Sequence, residues 1–224
     1  MRRFLRDQGL TLFFLLLMLL SLAGQAISGL HVYNSDQLTH GGQTVGLAGY
    51  LTSSAFAVDV TENWQSEYLQ FFLYIFITVW LIQRGSPESK KPDEQGLESD
   101  ERQKVGAHAT ADSPGWARAT GWRRMLYANS LGLLMAVIFL GSWTAQSIAG
   151  VAAYNADQLA DHEETVSWFG YVTGAEFWNR TLQNWQSEFL AVASMAAFSI
   201  YLRQRGSPES KPVGTSHQAT GIEG

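Results

Sequence analysis

The chain has 224 residues, no cysteine and a formal net charge of −5. The lack of cysteine excludes disulfides, thiolate catalysis and thiolate metal sites, and the acidic balance argues against a nucleic-acid-binding face. Hydrophobic residues make up 46% and charged residues only 16%, whereas mean hydropathy is near zero. The chain therefore consists of strongly apolar blocks separated by polar segments.

Four uncharged apolar blocks follow one another along the chain: Leu10 to Leu30, Tyr68 to Ile82, Leu126 to Ala153 and Phe189 to Leu202. The first and third are long enough to cross the hydrocarbon core, which takes roughly 20 helical residues. The second and fourth hold 15 and 14 residues, and they reach spanning length only if each helix includes the preceding turn. The pattern predicts four transmembrane helices.

The N-terminus resembles a signal peptide, with a basic start, an apolar middle and small residues near Ala23 and Ala26. A second copy of the same unit lies in the middle of the chain, where signal peptidase is not expected to cut. We therefore expect the first apolar segment to be retained as a helix.

The two halves of the chain align without a gap at an offset of 121 (154 − 33 = 121). The segment YNSDQL from Tyr33 matches YNADQL from Tyr154, and NWQSEYLQ from Asn63 matches NWQSEFLA from Asn184. The phrase QRGSPESK then occurs at 83–90 and again at 204–211. The chain is predicted to be a duplicated two-helix unit.

This alignment divides the chain into four parts. Residues 1–90 and 122–211 are the predicted membrane repeats. Residues 91–121 and 212–224 contain almost no bulky apolar residue, and they are predicted to be a disordered linker and a disordered tail.

Basic residues predict the topology. All Lys and Arg residues except Arg180 lie before the first apolar block, between the second and third blocks, or after the fourth, and such residues mark the cytoplasmic side. Both termini and the linker are therefore expected to be cytoplasmic, and the loops 31–63 and 152–184 to face outward. Each repeat crosses the membrane twice and returns, which makes the repeats parallel.

The first helix of each repeat carries small and amide residues at every fourth position, which places them on one helical face. Such a face suits close helix packing in lipid, and a polar lining near the membrane midplane is the alternative. This candidate packing stripe comprises Ser21, Gln25, Gly29, Ser142, Gln146 and Gly150.

The second helix is expected to begin before its apolar block. The segment TGAE from Thr173 has the pattern of a capping box, and Thr52 holds the matching position. A helix from Thr52 to Gln83 would be about 48 Å long at 1.5 Å per residue. Trp64 and Trp185 would then mark the outer interface, and aromatic residues in the loops predict short interfacial helices.

Glu67 and Glu188 fall one turn deeper than these tryptophans, where a carboxylate is costly unless it is paired or hydrated. Either the first helix holds the carboxylates through hydroxyl and amide groups, or the doubled acids form an outward-facing cation or proton site. The candidate polar layer comprises Glu67, Glu188, Asn63, Asn184, Tyr33, Tyr154, Asn34, Asn155, Asp36, Asp157, Gln37 and Gln158.

The inner ends of the second helices are predicted to stop at QRGSPESK, with Gly85 and Gly206 as C-cap glycines. Ala193 and Ala197 form a small-residue pair on the fourth helix, which favours close helix contact. We therefore expect the fourth helix to be more central than the second.

The sequence contains no nucleophile elbow, P-loop, dinucleotide fingerprint or HExxH motif. The histidines of the two halves do not align, which predicts no repeated metal site. We expect no catalytic residues, no cofactor and no enzymatic activity.

In its segments ENWQSEYLQ, YNSDQL/YNADQL and QRGSPESK, the chain resembles a bacterial family of uncharacterised membrane proteins classed as a domain of unknown function. The resemblance covers Arg2 to Lys211 except the linker, and it implies a location in the bacterial inner (plasma) membrane. It supplies no activity, cofactor or catalytic residues.

The predicted fold is thus an all-α membrane protein of four transmembrane helices in two tandem parallel hairpins. The predicted function is non-enzymatic, with a structural or accessory role; the alternative is a small transporter or channel. Expected partners are the lipid bilayer and either a second copy of the chain or another membrane protein, and no nucleic acid.

Overall fold

A computed structural model describes residues 2–222. The fold is all-helical, with 66% of residues in helices, and the part of the chain that it describes contains no strand. The all-α class predicted from the sequence is therefore confirmed. Gly224, the end of the predicted cytoplasmic tail, lies outside the described residues.

Eight α-helices follow one another along the described chain. They are α1 (Arg2–Asp7), α2 (Gly9–Thr39), α3 (Leu47–Leu51), α4 (Ser54–Ile77), α5 (Trp122–Ala128), α6 (Ser130–Ala160), α7 (Trp168–Thr173) and α8 (Ala175–Tyr201). Three short 3-10 turns lie between α4 and α5, at Pro92–Glu94, Gly106–His108 and Gly115–Arg118.

The long helices recur at the spacing of the sequence alignment. Helices α2 and α6 each have 31 residues, and their first residues are 121 positions apart (130 − 9 = 121). The starts of α4 and α8 show the same separation (175 − 54 = 121). Within the described residues, α2 and α6 are the two helices that are long and apolar enough to cross a membrane.

The chain divides into two compact units. The first extends to Glu62 and includes Thr144–Trp178, and the second comprises Asn63–Trp143 and the chain from Asn179 onward.

The first unit is organised around two buried tyrosines. Tyr50 of α3 and Tyr171 of α7 are 2% and 3% exposed. Each ring lies between two other aromatic rings, and all four centroid distances are between 5.4 and 5.6 Å. These aromatic layers fix α3 and α7 against the long helices, because aromatic pairs contribute packing energy beyond the area they bury.

In the second unit, α4 contributes three buried side chains. Gln65, Ser66 and Leu69 are 0%, 1% and 8% exposed, and Thr181 of α8 is 0% exposed. Polar groups thus make up most of this buried set.

Helix α4 differs from the predicted helix from Thr52 to Gln83, because it ends at Ile77. The carbonyl of Val79 accepts the N–H of Gly96 at 2.8 Å, and the carbonyl of Trp80 accepts the side-chain amide of Gln95. Linker residues thus donate to backbone carbonyls that would have accepted N–H groups from the next turn of a longer helix.

The predicted capping box at Thr173 is also wrong. Thr173 is the last residue of α7, and its hydroxyl donates to the carbonyl of Phe169 at 2.8 Å. In the first half, Ser53 rather than Thr52 caps α4, since its Oγ accepts the N–H of Phe56 at 3.2 Å.

The glycines of QRGSPESK are not helix C-caps. Gly85 and Gly206 have φ of +90° and +82°, but α4 and α8 end several residues earlier. The phrase forms a separate closed turn instead. Ser89 Oγ accepts the N–H of Gln83 at 2.9 Å, and the second copy repeats this bond at 3.0 Å.

Helix α8 is not more central than α4, contrary to the prediction. Ala193 and Ala197 are exposed, and Leu190 and Phe198 are 64% and 59% exposed. The bulky side chains of α4 fill space against their neighbours, whereas the small side chains of α8 leave its surface uncovered.

Residues 91–121 carry the three 3-10 turns and several ion pairs. Lys90 Nζ lies 3.1 Å from Glu98, and Arg124 Nη1 lies 3.2 Å from Asp100. Disorder of this linker and of the tail stays a prediction.

Gly29→Ala is expected to lower the melting temperature in detergent, because its added Cβ would lie 2.1 Å from the Tyr50 hydroxyl oxygen. Overpacking of this kind costs about 1–3 kcal/mol. Gly24→Ala on the same helix is the control, since nothing lies within 4 Å of its added Cβ. Equal melting temperatures for the two variants would contradict this close contact. Adding Tyr50→Phe, which removes the hydroxyl oxygen, should partly restore the melting temperature of Gly29→Ala.

Candidate functional site

The two asparagines of the candidate polar layer hold the connections that follow α2 and α6. Asn34 Nδ2 donates to the carbonyl of Val45 at 3.0 Å, and Asn34 Oδ1 accepts the N–H of Val45 at 2.8 Å. Asn155 makes the same two bonds to Val166, at 2.9 and 2.8 Å. Each side-chain amide therefore clamps the connection at two points. It pairs a backbone N–H and a backbone carbonyl that have no helix or sheet partner there.

The glutamines of the layer lie beside the same connections. The backbone carbonyl of Gln37 accepts the N–H of Gly42 at 2.7 Å. Gln158 Nε2 donates to the carboxylate of Glu163 at 2.9 Å. These contacts close the turns after α2 and α6.

The tyrosines of the layer pack against the buried tyrosines of the short helices. Tyr33 lies 5.6 Å from Tyr50, and Tyr154 lies 5.6 Å from Tyr171, measured between ring centroids. Both Tyr33 and Tyr154 are half-buried, so they belong to the aromatic layers of the first unit.

Asp36 and Asp157 are both exposed, and Asp36 contacts a histidine. His40 Nδ1 lies 3.0 Å from the Asp36 carbonyl and 3.5 Å from its carboxylate, and His40 Nε2 lies 3.4 Å from Asp161. The hydrogen bond to the Asp36 carbonyl, with the charges of Asp36 and Asp161, raises the pKa of His40 above its usual 6.5. His40 thus links the ends of α2 and α6.

The two glutamates of the layer belong to the second unit. Glu67 is exposed and Glu188 is half-buried, and they lie near enough for their charges to interact. Asn63 is exposed, and Asn184 Nδ2 donates to the carbonyl of Arg180 at 2.9 Å.

A partly buried hydrogen bond joins α4 and α8. Trp185 Nε1 donates to Gln65 Oε1 at 2.8 Å, and Gln65 is completely buried. The indole of Trp185 also lies 5.9 Å from that of Trp143 and 6.4 Å from the ring of Phe189. Because Gln65 is completely buried, water cannot replace a lost donor there, which makes loss of the Trp185 indole expensive.

The copies use their tryptophans differently. Trp64 is 47% exposed, as expected for an interface anchor, whereas Trp185 is half-buried and hydrogen-bonded. The equivalent of Gln65 in the second copy, Gln186, is exposed. That both tryptophans mark the outer interface stays a prediction.

The sequence reading missed Gln65 and Thr181. Gln65 lies at helical spacing from the buried Val58 and Leu69 of α4. A polar residue on this otherwise apolar helix face could have indicated a buried hydrogen-bonding group. Thr181 precedes Trp185 by four residues, which places both on one face of α8.

The packing stripe is buried in its second copy and half-buried in parts of its first. Gly29 faces the ring of Tyr50, and Gly150 faces that of Tyr171, whose hydroxyl oxygen would lie 2.5 Å from an added Cβ. Ser142 and Gln146 are 8% and 0% exposed. The other two members in the first copy are less enclosed: Gln25 is half-buried and Ser21 is exposed.

Some buried polar atoms find no hydrogen-bond partner within the described residues. They include both side-chain polar atoms of Gln146, Gln65 Nε2 and Thr181 Oγ1. Each such group costs about 1–3 kcal/mol when it is left unpaired. The described residues also contain no group of three or more His, Asp or Glu side chains that could hold a metal ion.

The fold and these contacts define an all-helical protein with two helices able to cross a membrane. The chain belongs to the family called domain of unknown function DUF6766, whose model matches residues 1–222. The resemblance to a family of unknown function is thereby confirmed. No curated protein and no solved structure matches the chain.

Trp185→Phe is expected to destabilise the protein by about 1–3 kcal/mol, because it removes the donor and leaves Gln65 Oε1 buried and unpaired. The control is Trp64→Phe at the equivalent position, where the side chain is 47% exposed. Thermal unfolding in detergent compares the two variants. A Trp64→Phe effect as large as that of Trp185→Phe would show that the hydrogen bond is not responsible.

Proposed function

We propose that the chain is an integral membrane protein that crosses the bilayer four times, as two tandem parallel helical hairpins. We further propose that its role is structural or accessory and involves no catalysis. Its location is then the bacterial inner membrane, with both termini cytoplasmic.

Exposed apolar side chains on α2 support the membrane location. Large apolar residues at consecutive positions of this helix are between 43% and 75% exposed, an apolar surface that water would not tolerate. They are Leu10, Phe13, Phe14, Leu15, Leu16, Leu17, Met18, Leu19 and Leu20. Helix α6 adds Leu131, Leu134, Val137 and Leu140, at 54–66% exposure.

The lengths of α4 and α8 support two further crossings. They have 24 and 27 residues, about 36 and 40 Å at 1.5 Å per residue, against a hydrocarbon core of about 30 Å. Phe71 and Phe76 of α4 and Leu190 of α8 are 49%, 52% and 64% exposed. Their charged residues lie mostly in the N-terminal halves, which is the expected arrangement for helices that enter lipid from an interface.

The observation that favours a structural role is how the polar residues are used. Asn34 and Asn155 each bind loop backbone through both amide atoms, and Gln65 binds Trp185. The hydrogen bonds of these groups connect different segments of the same chain. Exposed small residues on α8, Ala193 and Ala197, offer a face for a second copy or another membrane protein.

The alternative is a small transporter or channel. The observation in its favour is that the charge of Glu67 acts on Glu188, because carboxylates within membrane helices mark proton or ion pathways. Completely buried Gln146, with neither polar atom paired within the described residues, also fits a polar pathway.

Single cysteines test the number of crossings, since the natural chain has none. In a four-span protein, Gln43→Cys and Glu164→Cys lie on the same side and react with an impermeant maleimide from outside, whereas Gln103→Cys reacts only after permeabilisation. If only α2 and α6 cross, Gln43→Cys and Gln103→Cys lie on one side and Glu164→Cys on the other. If Gln43→Cys and Glu164→Cys both react only after permeabilisation, the proposed orientation, with both termini cytoplasmic, is contradicted.

Liposome flux measurements separate the two functions. For a structural role, we expect proton and cation flux with wild type to equal that of protein-free liposomes, and Glu67→Gln with Glu188→Gln to change nothing. The double variant should also keep its melting temperature, because it removes repulsion between like charges. A wild-type flux that the folded double variant loses would establish transport and reject the structural proposal.

A further inference from the structure

The two copies of QRGSPESK form the same turn in different surroundings. In the first copy, Ser86 is 4% exposed and Pro87 is fully buried. In the second, Ser207 is half-buried and Pro208 is exposed. Since the residues are identical, something else in the chain must cover the first turn.

The cover is built around Lys211, the last residue of the second copy. The three N–H groups of its ammonium lie within hydrogen-bond distance of four carbonyl oxygens: those of Gly85 at 2.6 Å, Ser216 at 3.2 Å, His217 at 3.0 Å and Ala219 at 3.2 Å. Lys211 is only 1% exposed. A buried ammonium is costly unless it is fully hydrogen-bonded, so this ring of carbonyls is what allows Lys211 to be enclosed.

The tail adds two further hydrogen bonds to the same turn. Gly85 N–H donates to Thr220 Oγ1 at 2.8 Å, and Gly221 N–H donates to the carbonyl of Ser86 at 3.0 Å. Arg203, just after α8, holds the tail itself, since its Nη2 donates to the carbonyl of Thr215 at 3.0 Å. The tail is thus bound at several points to a turn more than a hundred residues earlier.

The shape of the turn matches this cover. A Cβ added to Gly85 would lie 2.5 Å from the carbonyl oxygen of His217 and 3.0 Å from Ile200. Gly206, at the equivalent position with a similar positive φ, has nothing within 4 Å of an added Cβ. The tail therefore sits where only glycine leaves room.

The equivalent lysine of the first copy is held differently. Lys90 Nζ donates to the carbonyl of Gly96 at 2.9 Å and pairs with Glu98 at 3.1 Å, and its side chain is 25% exposed. Its partners are thus in the segment that directly follows it, whereas Lys211 binds the other copy of QRGSPESK. The two lysines are therefore a matched pair with different roles.

We propose that Lys211 and residues 212–222 form a clasp that binds the Gly85–Ser86–Pro87 turn and controls access to it. In the closed state, the tail occupies the donors and acceptors of the turn and buries Ser86. A partner or a modifying enzyme reaches this turn only after the tail has left. The clasp concerns a different part of the chain from the proposed membrane role and does not depend on it.

Maleimide labelling of Ser86→Cys in the full-length protein measures the clasp directly, because the chain has no other cysteine. We expect slow labelling in the otherwise natural chain and labelling at least about tenfold faster with Lys211→Met, since hydrogen bonds to a charged group are lost. Lys90→Met is the control and should leave the rate unchanged. Ser207→Cys should react fast in every background.

Two further variants keep the test decisive if Lys211→Met lowers expression. Gly85→Ala should speed labelling of Ser86→Cys more than Gly206→Ala does, because both alanines are strained at positive φ and only the first meets the tail. In Lys211→Ala, propylammonium should restore slow labelling, whereas tetramethylammonium, which has no N–H group, should not.

Unchanged labelling with Lys211→Met would overturn the clasp, as would an equal acceleration with Lys90→Met or equal effects of the two glycine variants. Rescue by tetramethylammonium to the same extent as by propylammonium would also overturn it, because hydrogen bonding to the carbonyls would then be irrelevant.

Discussion

The first unit depends on a tyrosine ring that packs directly against a glycine of a long helix. Tyr50 lies on Gly29 and Tyr171 lies on Gly150, and any side chain at those positions would push the ring away. The aromatic layers on both sides of each tyrosine form only if this close approach is possible. The short helices α3 and α7, and the connections that the asparagines clamp, are positioned by the same contact.

The second unit shows how one sequence repeated twice yields unequal contacts. Trp185 donates a hydrogen bond to the completely buried Gln65, whereas Trp64 is 47% exposed. Lys211 lies in a ring of carbonyls, whereas Lys90 pairs with a nearby acid. The lysines differ because the first copy is followed by the linker, which supplies Glu98, and the second by the tail, which supplies the carbonyl groups.

Much of the fold could be predicted from residue patterns. Uncharged stretches near Leu10–Leu30 and Leu126–Ala153 indicated α2 and α6, because helix length and hydropathy are local properties. The end of α4 could not be predicted, since it depends on Gln95 and Gly96 of the linker. The prediction that α8 is more central than α4 was wrong for a related reason. Small residues permit close helix contact, but they do not determine which helix packs against more neighbours.

For the candidate site, the sequence indicated the right residue types at several positions and missed their partners. Asn34 and Asn155 were identified as polar helix residues, but their partners are backbone groups of the following connection. Gln65 was missed because its neighbours in sequence form a polar stripe on another face of the helix. The pairing of a side chain depends on distances across the fold, and helical periodicity carries no such information.

The sequence by itself determined the helical class, the two most apolar helices and the family, because composition and periodicity are properties of contiguous residues. Only the tertiary structure decided which copy of each repeated motif is buried. Identical residues in QRGSPESK acquire different burial according to whether the tail reaches them. That choice depends on contacts between residues far apart in the chain, which no local pattern specifies.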